Sequence, residues 1–207
     1  MVVTGVVSGA ATGASARTRR LMLNTAVSLM QGGETPSVSE VAEAAGVSRA
    51  TAYRYFPSQA ALAHAVVDEA LGPILLWSSQ SKDPEERVVE LLDFSMPRIV
   101  EFEATLKIAL KLSLDQWARG RSGKLGDEPE FKRGHRIELI RDATQPLEAK
   151  LSKARFKRLN QALSLVFGLE AVVVLKDLCG LETEEMQKVV VWAARALVRT
   201  AVAEAAG

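Results

Sequence analysis

Three serines, Ser37, Ser48 and Ser58, each open a short stretch of helix-favouring residues, and Gly46, Pro57 and Gly72 close those stretches in turn. A serine just before a helix lends its side-chain oxygen to an amide that the helix cannot satisfy itself. Punctuation this dense permits only short helices that turn sharply on one another. Ser37 is followed three residues later by Glu40, a spacing at which cap and acid satisfy each other's backbone donors. Gly46 suits the left-handed conformation of a helix stop, and Phe56-Pro57 ends the next segment. Upstream, a helix from near Ser15 carries Leu21, Met22, Ala26, Val27 and Met30 inward and stops at Gly32-Gly33. Four helix signals thus crowd into the first third of the chain.

Further on the elements lengthen. Asp83-Pro84-Glu85-Glu86 combines an N-cap, a first-turn proline and early acids, and starts a helix expected to bend at Pro97. Another helix covers roughly Glu103 to Ala118, and "RGRSGKLGDEPE" reads as a charged surface loop. A helix from Phe131 toward Leu151 is disturbed at Pro146; the last two run from Lys153 to Cys179, stopped by Gly180, and from Thr183 to about Ala205. No useful strand-like alternation and no internal repeat is present, so the chain is expected to be all-α. Its 207 residues accommodate a flexible tail (1–14), a small amino-terminal three-helix domain with a helix-turn-helix (15–66) and a larger carboxyl-terminal helical domain (67–207).

Composition excludes more than it identifies. The formal net charge is +1, so any electrostatic argument must be local. The one cysteine, Cys179, can form neither an internal disulfide nor a cysteine metal site, and its apolar context reads as a buried, inert thiol. No apolar run reaches the ~18 residues of a membrane span; "LSLVFGLEAVVVL" is broken by Ser164, Gly168 and Glu170. The start of the chain lacks the early basic residues of a secretion signal, so a cytoplasmic protein with no membrane partner is expected. His64 and His135 are isolated, and His64 with Asp68 reads as a surface pair rather than a metal site. Without a phosphate-cradling loop, nucleophile motif or paired acids, neither an enzyme nor a cofactor is expected.

The segment "SVSEVAEAAGVSRATAYRYFPSQAAL" carries the information. Two short helices joined at Gly46 outline a helix-turn-helix, with Ala42, Ala44 and Ala45 small enough for close packing. Val47, Ala52 and Phe56 can face inward over Leu62, which leaves Arg49, Ala50, Thr51, Tyr53, Arg54 and Tyr55 outward. Hydroxyls of threonine and tyrosine suit phosphate oxygens, and arginine can read guanine with two hydrogen bonds. The competing reading is that Tyr53 and Tyr55 merely fasten this helix to its neighbours.

This segment closely resembles the DNA-binding part of the tetracycline-repressor (TetR) family of bacterial transcription regulators, most specifically at "AGVSRATAYRYFPS" within residues 17 to 66. The resemblance implies a ligand-responsive regulator, a repressor released from a palindromic double-stranded DNA operator by a small molecule. It places Arg49 and Ala50 toward bases, Thr51, Tyr53 and Tyr55 toward phosphates, and Ser37 and Ser39 toward the backbone or a base edge. Ser48 and Arg54 join this set. Two positions depart from the family pattern, Gln59 where lysine is frequent and Ala60 where an acid is. Gln59 can still bond a phosphate but neutralises none. Residues 1 to 60 hold Arg17, Arg19, Arg20, Arg49 and Arg54 against Glu34, Glu40 and Glu43, a local balance of only +2. "ARTRR" reads either as a basic arm for phosphates or the minor groove, or as a solvated helix start. With about three phosphates neutralised per subunit, a dimer would show a salt slope of roughly −5.

The last two helices are apolar on several sides and rich in valine and alanine, which suits a homodimer contact or a filled monomer core. Candidate ligand-lining residues are Phe94, Met96, Phe102, Leu106, Leu110, Trp117, Phe131, Phe167 and Glu170, and core packing accounts for each equally well. Glu170 and Asp177, seven residues apart, are expected on one face, paired with Lys176, Arg195 or Arg199 or, for Glu170, turned to a polar or cationic ligand. Two other functions stay open: a DNA-binding protein without a small-molecule ligand, and a helical adaptor that has lost DNA binding.

Overall fold

A computed structural model describes residues 13–125 and 135–206. The expectations for residues 1–12, for Phe131 and for the loop beyond residue 125 lie outside the described residues. Within them the chain is helical and contains no strand. Helix α1 (Gly13–Gln31) is followed by α2 (Val38–Ala44), α3 (Arg49–Tyr55) and α4 (Gln59–Leu71), and a 3₁₀ turn (Gly72–Leu76) extends α4. Helices α5 (Pro84–Glu101) and α6 (Glu103–Arg121) come next, then α7 (His135–Ala143) and a 3₁₀ turn (Gln145–Leu147). Helix α8 (Lys153–Val166) leads to a short α9 (Leu169–Val172), six residues of π-helix (Val173–Leu178) and α10 (Thr183–Ala206).

The caps fall where the serines put them. Ser37 and Glu40 form the reciprocal capping box, and Ser48 and Ser58 accept from Thr51 and Ala61 amides. Gly46 has φ +64, a value that favours glycine. Asp83 caps α5 ahead of Pro84, and α5 continues as helix through Pro97.

Two apolar clusters organise the chain. The first gathers Met22, Leu23, Ala26 and Met30 of α1, Val38, Val41 and Ala42 of α2, Ala52 and Phe56 around α3, and Leu62 and Val66 of α4. Ile108 of α6 completes it, with Leu112 packed alongside. Leu21, expected inward, is half exposed; Leu23 takes the buried place because it lies on the side of the helix shared with Met22, Ala26 and Met30. Ala44 is likewise exposed, so Ala42 makes the close contact in α2. Gly13 and Ala14, assigned to the tail, are already helical.

The second cluster is built from α5, α7, α8 and α10, with α10 lying against both α5 and α8. Arg87 is buried there, and burying a charge is costly unless its donors are satisfied. Its guanidinium donates to carbonyls of Ser79, Ser81, Asp142 and Ala143 and lies 5.7 Å from the Trp77 ring centroid. Helix α7 ends at Ala143, short of the expected Leu151, because Pro146 sits in a 3₁₀ turn that cannot extend it.

The largest departure concerns the long helix expected from Lys153 to Cys179. It breaks at Gly168, whose φ is +120, and the two parts meet at 50°. Arg136 fills the elbow, donating to the carbonyl of Phe167 at 2.7 Å and to both carboxylate oxygens of Glu170 at 2.7 and 2.9 Å. A Cβ on Gly168 would stand 2.5 Å from the Arg136 guanidinium. The break and the π turn defeat the seven-residue logic for Glu170 and Asp177. Glu170 pairs with Arg136 and Asp177 with Lys107, while Arg195 and Arg199 both turn to Glu85. Cys179 is exposed at the end of the π turn, which corrects its reading as a buried thiol.

Glu103 bridges Lys107 at 2.7 Å and Lys176 at 2.6 Å, tying the first turn of α6 to the π-helix. Burial raises the Glu103 carboxyl, but its hydrogen bonds to Lys107 and Lys176 outweigh that and hold it below the ordinary 4.5. A depressed carboxylate contributes stability above its unfolded value and loses it as pH falls through the folded one. Glu103→Gln is therefore expected to cost about 2 kcal/mol at neutral pH. In urea unfolding measured across acidic pH, that difference should shrink below pH 4.5. A difference that stays constant down to the acid transition would contradict the assignment.

Candidate nucleic-acid interface

Helices α2 and α3 meet at Gly46, and Ala42 and Ala52 are fully buried in the cluster they share. Phe56, also buried, closes the far end of α3. This packing leaves one side of α3 to solvent. Arg49, at the first position of the helix, is exposed and has no partner among the described residues; Ala50 and Arg54 are exposed beside it. Tyr53 is 46% exposed, and its hydroxyl lies 3.3 Å from that of Ser39 in the first turn of α2. The start of α2 and the outward side of α3 therefore form one continuous polar surface.

The hydroxyls are not all equally free. Ser37 spends its oxygen as a cap, where the Ser37 backbone amide and hydroxyl hold the Glu40 carboxyl below its usual range. The Ser48 hydroxyl donates to Thr51 Oγ1 at 2.9 Å, which leaves the Thr51 hydroxyl proton available to an acceptor outside the chain. Thr51 is half-buried. Tyr55 is half-buried too, with its hydroxyl 2.8 Å from that of Ser15 and the Arg54 guanidinium 5.3 Å from its ring centroid. The Ser15 hydrogen bond holds the Tyr55 phenol below its ordinary value. Ser15 is a contributor that the reading of outward residues missed, since a contact forty residues distant leaves no local signal.

Arg17, Arg19 and Arg20 occupy helical turns of α1 instead of an extended arm. Arg17 bonds back to the Gly13 carbonyl, Arg19 lies 5.4 Å from the Phe56 ring centroid, and Arg20 reaches Glu69 at 3.9 Å. Gln59 donates to the carbonyls of Thr35 and Pro36, so it holds the approach to α2. Ala60 is buried.

The candidate ligand-lining residues do not converge. Met96, Leu106 and Phe167 are buried in the second cluster, and Phe102 and Leu110 pack against it. Phe94 and Trp117 are half or more exposed, and Glu170 is engaged by Arg136. Phe167 borders an internal void of about 10 Å³ together with Leu91, Leu92, Ile140 and Ala194, room for no more than a water. A far larger apolar groove of about 510 Å³ runs between α8 and α10, lined by Leu159, Ala162, Leu165, Trp192 and Ala196. Among the described residues no group of three His, Cys, Asp or Glu side chains could hold a metal ion. No single described helix is long and apolar enough to cross a membrane.

Residues 23–66, which span the second half of α1, all of α2 and α3, and most of α4, match the family model of bacterial regulatory proteins of the tetR family. The likeness to the TetR family is carried by these residues. Within the matched segment α2 and α3 form the helix-turn-helix, with α3 as its second helix. Its fold resembles the crystal structure of a TetR transcriptional regulator from Rhodococcus sp. RHA1, with a TM-score of 0.59 over 88% of this chain and 96% of that one at 21% identity. Among curated proteins, none matches the chain.

Proposed function

We propose that the protein is a homodimeric repressor that leaves a palindromic operator when a small molecule binds. Residues 15–66 serve as the reading head and residues 67–207 as the ligand-binding and dimerising body, in a cytoplasmic protein. The observation that carries the reading is the single outward surface joining Ser39, Arg49, Thr51 and Tyr53 on α2 and α3. It offers one unpaired guanidinium for a guanine edge and several hydroxyls for phosphates. The exposed Trp192 and Leu165 beside the α8–α10 groove support dimerisation through these helices, because apolar surface of that size is costly in water. An effector in the body would act by favouring one of two subunit arrangements.

Operator titrations test the head. Arg49→Ala should cost about 1–3 kcal/mol on the preferred operator and flatten the preference among variants at one position. Tyr53→Phe removes a hydroxyl without touching the ring and should weaken all sequences alike. Equal losses on every operator after Arg49→Ala would remove its base-reading role. The effector is tested by thermal shift against a metabolite library, since a molecule that binds only the folded state raises the melting temperature.

A further inference from the structure

Both long helices of the reading head end against the last turn of α5. Gln31, the final residue of α1, donates from its side-chain amide to the Glu101 carbonyl at 3.0 Å. Arg98, one turn earlier in α5, donates from Nε to the Ala70 carbonyl in the last turn of α4 at 2.8 Å. The same guanidinium reaches the Glu101 carboxylate at 3.1 Å and lies 4.1 Å from the Phe102 ring centroid. It is held from three directions, and only 29% of its side chain is exposed.

Helix ends carry carbonyls without intrahelical partners and a partial negative charge, so a cation placed there is bonded along a defined direction. Pro97 lacks the amide that would tie this turn of α5 into its own ladder, which leaves the turn more dependent on such outside contacts. Ile108 presses into the head core from α6, but apolar contact is non-directional. Through it and Leu112 alongside, both α1 and α4 are seated on α6. Arg98 and Gln31 add bonds of defined direction at the ends of α4 and α1.

We infer that Arg98 is a positioning residue for half-site spacing, setting the angle between each reading head and the body so that a dimer accepts only one separation of its two half-sites. The inference rests on the dimeric DNA-binding function proposed above. Adding one base pair between half-sites moves the second by about 3.4 Å and turns it by roughly 35°. A stiff joint cannot follow that displacement, whereas a loose one can.

The experiment uses the full-length chain and duplexes carrying a selected half-site once, twice at the preferred spacing, and twice with the spacer changed one base pair at a time. The unsubstituted protein should prefer its own spacing by at least roughly 30-fold, and Arg98→Ala should reduce that preference below about 5-fold. Affinity for the single half-site should stay within about 2-fold, which shows that the head itself is intact. Arg98→Lys keeps a donor for the Ala70 carbonyl but loses the fork and the stacked plane, and should fall between. An Arg98→Ala protein that keeps the full spacing preference overturns the inference, as does one that loses single half-site binding in parallel. Should the unsubstituted protein bind paired and single half-sites equally, the dimeric reading fails and takes the inference with it.

Discussion

Trp192→Glu should leave a folded monomer that scarcely holds operator DNA. The indole is 72% exposed in the single subunit and borders the apolar groove between α8 and α10, together with Leu165 at 76%. An exposed position tolerates glutamate at little cost to the subunit's own stability. In a two-fold contact the same position is buried twice, and an unpaired carboxylate there loses hydration on both sides. The dimer dissociation constant should rise by ~100-fold or more, about 3 kcal/mol. Operator affinity should fall in step, since a single head makes half of the contacts. Sedimentation velocity reads the mass, thermal unfolding reads the fold, and gel shift reads the binding. A dimer of unchanged strength would move the interface away from these helices.

The second large effect belongs to the head. Phe56 is 2% exposed, caps the end of α3 and stands beneath Arg19. Truncating a buried phenylalanine costs about 3–5 kcal/mol, a large part of a typical domain's stability. Phe56→Ala should therefore loosen α1 to α4 selectively. Amide exchange should lose protection across those helices while α8 and α10 retain theirs, because the second apolar cluster does not include Phe56. Operator binding should collapse although the protein stays largely helical. Uniform loss of protection along the chain would show the two clusters to be one cooperative unit.

What the sequence disclosed is what neighbouring residues decide. The caps at Ser37, Ser48 and Ser58, the stop at Gly46 and the inward set Val47, Ala52 and Phe56 depend on a few adjacent positions; the structure places the caps and stop as expected, buries Ala52 and Phe56, and packs Val47 half-buried beside them. The outward side of α3 follows directly from that inward set. What stayed hidden was decided from a distance. The break at Gly168 is locked by Arg136 on another helix, and once the break exists Glu170 and Asp177 cannot share a face. Gln59 looked free for a phosphate because nothing local reveals that the carbonyls of Thr35 and Pro36 lie above it. The joint at Arg98 escaped notice for the same reason, as an arginine beside a helical proline resembles any solvated charge.

Ile108 has a consequence for modular engineering. The reading head borrows one wall of its interior from α6, about forty residues beyond the segment that contains the recognition helix. A chimera that grafts residues up to the end of α4 onto a foreign body leaves that wall behind, and exposes the methyl-lined gap it filled. Exchange of specificity between such regulators must carry the matching stretch of α6 along with the motif.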